Sequence, residues 1–186
     1  VRPGDEQGVL QHTRALEGGA VAMINKKIED AINDQINAEL HSAYIYLSMA
    51  SWFDSMNLKG MSHWMNIQAK EEVEHAMKFA DFVMERGGRV LYKAVAAPET
   101  EWASPLEAFR GAYEHEKYVT RRINDLMDLA VAEKDYASQV LLHWFISEQV
   151  EEEANASEIV GKLEMMADGK HGLLMIDREL GGREDD

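Results

Sequence analysis

The chain has 186 residues, of which 46% are hydrophobic, with 34 acidic against 19 basic side chains and a formal net charge of -15. That length suits one domain with a sizeable core, and the acidic surplus argues against nucleic acid or an anionic membrane as partner and for attraction of cations. With 0 Cys, disulfide frameworks, thiolate zinc sites and cysteine-ligated iron–sulfur clusters are excluded.

Few prolines, many methionines and the near absence of strand-like alternation favour an all-α chain. No apolar run approaches the roughly 20 residues of a membrane span, and no signal peptide is evident, so a cytoplasmic protein is expected. Residues 1–22 carry four glycines, a proline and no sustained period, and read as a leader outside the fold; residues 23–186 form the domain. From Met23 a first helix runs to about Asp54, its buried face stepping through Ile28, Ile32, Ile36, Glu39, Ala43, Tyr46, Ala50 and Phe53. The turn at Asn57 to Gly60 is short enough to send the second helix back antiparallel. That helix stripes Met61, Met65, Gln68, Glu72, His75, Phe79 and Phe82 and stops at Gly87-Gly88. The aperiodic stretch from Arg89 to Ala103 is long enough to cross the length of a bundle.

A third helix opens at Ser104-Pro105-Leu106-Glu107, with the N-cap serine, first-position proline and capping-box glutamate in their preferred places. Its stripe reads Leu106, Phe109, Tyr113, Glu116, Thr120, Ile123, Met127 and Ala130. Asp135 is placed to cap a fourth helix striped by Ala137, Leu141, Phe145, Glu148, Glu152, Ile159 and Leu163. After a turn at Asp168-Gly169, His171 to Leu180 makes a short fifth helix too apolar for a free tail, expected to pack against other subunits in preference to its own bundle.

Each of the four long stripes is interrupted by acid near its middle, and those middles fall near residues 38, 74, 118 and 151. Middles meet in one layer whichever way each helix runs, so Glu39, Glu72, Glu116 and the Glu148 to Glu152 segment converge. Glu72 and His75 leave one helix face a turn apart and can grip one cation together. An isolated buried carboxylate costs several kcal/mol, and like charges in one layer add to it. No Lys or Arg occupies these stripe positions, so a bound multivalent cation is the simplest counter-charge. Oxygen-rich ligands with a single imidazole suit iron or manganese.

The strings AKEEVEHAMKF, YEHEKYVT, LLHWFISEQVEEEA and DQINAELHSAYIYLSMASWFD resemble the non-haem prokaryotic and archaeal ferritins over about Met23 to Arg183. The resemblance implies a ferritin-like antiparallel four-helix bundle with a long crossover between helices 2 and 3 and a short fifth C-terminal helix. It further implies a ferroxidase centre for two irons. Glu39, Glu72 and His75 match the ligands of the first iron, with Glu72 bridging; Glu116 and Glu152 match those of the second, and Gln149 the glutamine beside it. An accessory iron position at Glu71, Glu148 and Glu151, a functional Tyr46 and an electron-supplying Trp144 also follow from the likeness, core packing being an equal alternative for Trp144. His115, about 100° from Glu116 on an ideal helix, reads as a surface or interface histidine, as do His41, His63, His143 and His171.

Related di-iron bundles carry a second Glu-x-x-His on the fourth helix. Here that slot reads Gln149-Val150-Glu151-Glu152, without histidine, which leaves the second position oxygen-rich and suits iron that must leave again. Val73, where a methionine would be needed, gives no support for haem. The expected function is iron storage and detoxification: Fe(II) is bound, oxidised by dioxygen or peroxide, and stored as Fe(III) mineral in a homo-oligomeric shell of 24 subunits. A di-iron oxidase or peroxide scavenger without storage, and a non-catalytic scaffold subunit, are the alternatives.

Overall fold

The helices begin where side chains satisfy the backbone N–H groups that a first turn leaves over. In this computed structural model, which describes residues 23–166 and 170–184, Asn25 accepts from Lys27 N at 2.9 Å and opens α1 (Lys26–Ser55). Ser104 accepts from Glu107 N at 3.2 Å and opens α3 (Pro105–Ala132), and Asp135 accepts from Ser138 N at 3.2 Å and opens α4 (Tyr136–Met165). α2 (Lys59–Glu85) has only Leu58 in front of it, with no capping side chain of its own. Its missing acceptor comes from α5 (Lys170–Leu180), where Asp177 Oδ1 takes Met61 N at 2.9 Å.

Three helix ends are locked by paired reverse-turn hydrogen bonds around a residue of positive φ. At the end of α2, Gly87 lies at φ 71, with Gly87 N on Met84 O at 3.0 Å and Gly88 N on Val83 O at 2.9 Å. The same pattern ends α1 at Asn57 and α3 at Lys134, at φ 60 and 55. These reversals make two hairpins, α1/α2 and α3/α4. The connection between α2 and α3 runs beside α1: Asn33 donates to Arg89 O at 3.0 Å and accepts from Leu91 N at 2.6 Å, and Ser48 donates to Glu99 O at 2.6 Å. Fifteen residues of helix separate Asn33 from Ser48, roughly 22 Å at 1.5 Å per residue, so the crossover does traverse the bundle.

Apolar residues form two clusters at opposite ends. One joins Ile28, Ile32, Phe79, Val83, Ile123, Leu142 and Phe145; the other joins Phe53, Met61, Trp64, Phe109, Ile159 and Leu163 with Ile176 and Leu180 of α5. The fifth helix therefore packs on its own bundle, the less favoured of the two expectations for it. Gly60 makes the docking possible, since a Cβ there would lie 1.5 Å from Asp177 O. Leu174 and Met175 on its outer face stay exposed. On α4 the buried face runs through Ser138, Leu142, Phe145, Gln149, Glu152 and Ala156. Ala137 is exposed and Leu141 and Glu148 are half-buried, one position off the expected stripe. The expected leader at 1–22 and the turn at Asp168-Gly169 lie outside the described residues. Among the described residues no helix is long and apolar enough to cross a membrane.

Candidate metal centre

Between the two apolar clusters lies a layer of buried polar groups. α1 contributes Glu39 and Tyr46, α2 contributes Glu72 and His75, α3 contributes Glu116, and α4 contributes Gln149 and Glu152. All seven are buried, and none of the four carboxylates is more than 4% exposed. Four buried glutamates in one layer repel one another, and the structure shows how each is held.

Glu39 Oε1 accepts from Gln35 Nε2 at 2.8 Å, one turn earlier on α1. Burial and Glu116 raise its pKa from 4.5 to about 7, with Gln35 and Glu72 pulling the other way. Glu152 Oε2 accepts from Gln68 Nε2 at 2.7 Å, yet burial, reinforced by Glu116, raises it to about 8. Glu116 is held twice, by the Tyr46 hydroxyl on Oε1 and by Gln149 Nε2 on Oε2 at 3.2 Å, and burial still raises it. Glu72 stands in the middle: burial first, then the charges of Glu116, Glu39 and Glu152, push it well above the ordinary glutamate value. The same burial and the glutamates keep the Tyr46 phenol protonated. His75 goes the other way, lowered to about 4 by burial and by Lys78 nearby, so its ring is neutral at pH 7 and has a lone pair to offer.

Glu39 Oε2 and Glu72 Oε2 are buried without any hydrogen-bond partner. Buried carboxylate oxygens are rarely left so, because the desolvation penalty goes uncompensated. One ligand atom each from Glu39, Glu72 and His75 lies within 4.8 Å of the others, and one each from His75, Glu148 and Glu152 does likewise. Orphaned carboxyl oxygens beside a neutral imidazole are the donor set a hard or borderline divalent cation takes once the carboxyl groups give up their protons to it, so the residues present fit a metal.

Of the expected accessory residues, Glu71 and Glu148 are half-buried and Glu151 is exposed, and all three line one cleft of about 260 Å³ with Arg183. Arg183 was not anticipated there. Its Nη2 holds both oxygens of Glu71 at 2.8 and 2.6 Å, its Nη1 holds Gln68 Oε1 at 3.0 Å, and its guanidinium lies 4.8 Å over the Trp64 ring. A metal is thus not the sole positive group within reach of the acids. Arg122 was also missed, donating from Nε to Gln35 Oε1 at 2.8 Å. The stripe positions alone could not reveal either, because both reach in from outside the stripes.

His115 departs from the surface assignment: Nε2 sits 2.7 Å from Ser42 Oγ and the ring meets Tyr46 edge-on at 6.2 Å, so a residue off the stripe turns back beside the layer. Burial lowers its pKa to about 4. His63 and His143 are exposed, as expected. Trp144 is not core: it is 39% exposed, meets His75 edge-on at 5.5 Å and carries Lys78 Nζ at 3.8 Å over its ring.

A family model described as a ferritin-like domain matches residues 29–166. A bacterial non-heme ferritin of Bacteroides fragilis (strain 638R) is 43% identical over 161 residues, covering 87% of this chain and 100% of that protein. One of Staphylococcus saprophyticus is 39% identical over 164 residues, covering 88% of this chain and 98% of the relative. Among solved structures, an open pore ferritin from the hyperthermophilic archaeon Archaeoglobus fulgidus shares 55% identity, covers 87% of this chain and 99% of its own, and superposes with a TM-score of 0.86.

Proposed function

The chain belongs to the ferritin family, and on that premise we propose that its mid-bundle layer binds two Fe(II) ions and oxidises them before the iron is stored as Fe(III) mineral. Glu39, Glu72 and His75 hold the first ion, Glu116 and Glu152 the second, with Glu72 between them and Gln149 beside the second. The observation that carries this reading is the pair of buried, unpartnered oxygens on Glu39 and Glu72 next to a neutral His75. Carboxylate oxygens are hard and anionic, so they favour Fe(III) over Fe(II) and lower the cost of giving up an electron. Two irons release two electrons, which matches the reduction of one dioxygen to peroxide or of one peroxide to water. Tyr46, protonated and bonded to Glu116, holds that carboxylate in place. The absence of a second histidine leaves the second position oxygen-rich, which favours release toward a mineral.

Storage needs an enclosed space, and the ferritin-like subunit serves an oligomeric cage. We assign that cage 24 copies and put its work in the cytoplasm. The cleft of Glu71, Glu148 and Glu151 is the accessory iron position in the same reading. The test is aerobic addition of Fe(II) to the metal-free protein, following the ultraviolet absorbance of ferric species, beside Glu72→Ala and His75→Ala. Rapid oxidation that both substitutions abolish, continuing past two irons per chain, supports the proposal. Saturation at two irons without further uptake would overturn storage, and equal slow rates in all three proteins would overturn the centre.

A further inference from the structure

Two arginines outside the ligand set each reach a ligand through one glutamine. Between α1 and α3, Arg122 Nε donates to Gln35 Oε1 at 2.8 Å, and Gln35 Nε2 donates to Glu39 Oε1 at 2.8 Å. Between α2 and α4, Arg183 Nη1 donates to Gln68 Oε1 at 3.0 Å, and Gln68 Nε2 donates to Glu152 Oε2 at 2.7 Å. The two chains of bonds have the same order and polarity, although their arginines come from different elements, α3 and the tail after α5.

The polarity matters. A glutamine amide can offer a carboxyl group either its oxygen or its NH2, but a guanidinium has donors only. Once the amide oxygen is bound to arginine, the NH2 must face the glutamate. One glutamate oxygen is then held at a fixed place on the rim, and the other is left to the centre: Glu39 Oε2 is one of the buried oxygens without a partner. Each arginine is itself tied down. Arg122 Nη2 donates to Asp34 O at 3.1 Å, and Arg183 grips Glu71 and lies over Trp64. Neither guanidinium is left to swing.

We propose that Arg122 and Arg183 are positioning residues, each fixing one outer carboxylate of the centre through its glutamine, so that Glu39 and Glu152 are tuned separately from opposite sides of the bundle. The inference rests on the centre proposed above. Partners behind metal ligands typically change metal affinity by about 10–100-fold when removed, because they set the ligand's orientation and basicity. Arg183 has a second consequence: it joins Glu71 in the outer cleft to Glu152 in the inner layer through one guanidinium, so the two sides of Gln68 are linked.

The experiment is an anaerobic titration of the metal-free full chain with Co(II), by calorimetry and visible absorption, which reads binding without iron oxidation. Glu39→Gln and Glu152→Gln identify which binding step belongs to which carboxylate. Arg122→Ala should weaken the Glu39 step by about tenfold and leave the other within about twofold, and Arg183→Ala should do the converse. In a Gln35→Leu background, adding Arg122→Ala should weaken the Glu39 step by no more than about twofold further, what remains being the direct pull of the guanidinium charge on Glu39, and likewise for Gln68→Leu with Arg183→Ala. The Gln68→Leu variant keeps the tail's grip on Glu71, so a loss there is not a loss of tail docking. Equal weakening of both steps by either arginine variant, or no weakening at all, would overturn the proposal. Insensitivity of both steps to Glu39→Gln and Glu152→Gln would instead overturn the centre on which it rests.

Discussion

At the α5 end of the bundle, the Phe109 ring has Phe53 at 5.4 Å and Trp64 at 5.5 Å between centroids, within an apolar cluster that includes Met61, Ile159 and Leu163. A few turns along the same helices, Glu39, Glu72, Glu116 and Glu152 share a layer in which two carboxylate oxygens have no partner. The first region lowers the free energy of the fold by removing apolar surface from water. The second raises it, since four carboxyl groups are kept from water and three of them are pushed up by the charges of the others as well as by burial. The contrast separates what holds the helices together from what they are held together to do. Stability resides at the ends and binding energy is stored in the middle.

The largest test of that division is Phe109→Ala, which should cost about 3–5 kcal/mol in unfolding free energy, while the rate of Fe(II) oxidation per folded chain stays at the parent value. A matching loss of oxidation would mean that the ends and the layer are not separable. Next, Zn(II) at one fixed concentration, a hundred times its dissociation constant at pH 7, should stabilise the metal-free protein by about 2.7 kcal/mol there, and at that concentration the gain should grow with pH. Glu39 and Glu152 have folded pKa values of about 7 and about 8, above the ordinary 4.5. The folded chain therefore binds more protons than the unfolded one in between, and the metal-free fold loses stability as pH rises from 4.5 through 8. Thermal unfolding at pH 5 and pH 8, with and without Zn(II), checks this; a larger gain at pH 5 would contradict it.

A smaller effect of opposite sign is expected from Glu72→Gln. Replacing the most crowded carboxyl by a neutral amide should stabilise the metal-free protein at pH 8 by about 1–2 kcal/mol, even as Fe(II) oxidation is lost. Smallest is Ser104→Ala, which removes the cap of α3 far from the layer and should cost about 1 kcal/mol, with oxidation unchanged. A melting curve and an oxidation trace on each variant suffice for both.

The layer was legible in the sequence because acid inside an apolar stripe is rare and its cost is easily seen; four such interruptions at corresponding positions could be matched without knowing how the helices turn. Helix starts at Ser104 and Asp135 were legible for the local reason that a cap lies within three residues of the N–H it binds. What escaped depends on contacts between distant parts of the chain. Arg183 and Gln68 are separated by 115 residues and Arg122 and Gln35 by 87, and no periodicity links a charged residue on a tail or helix flank to an amide in a stripe. The same holds for Gly60, which reads as part of a turn until Asp177 is seen against it. On α4 the expected face was right at Phe145, Glu152, Ile159 and Leu163 and one position out at Ala137, Leu141 and Glu148, because Leu141 looks as apolar as Leu142, and Ala137 more so than the buried Ser138. His115 escaped because a half-buried histidine off the stripe carries no signal until Ser42 supplies a partner.

The hydrogen bond from Met61 to Asp177, together with the close passage of Gly60, has a kinetic meaning for how copies of this chain come together. Because α5 is seated by its own subunit, its backbone is ordered before any encounter, and the rotational and torsional freedom of eleven residues is already spent inside the monomer. Association then joins preformed rigid bodies and is limited by how often they collide in the right orientation. A Gly60→Ala chain, with α5 displaced, would have to fold that helix during the encounter, and its assembly would slow for reasons of entropy.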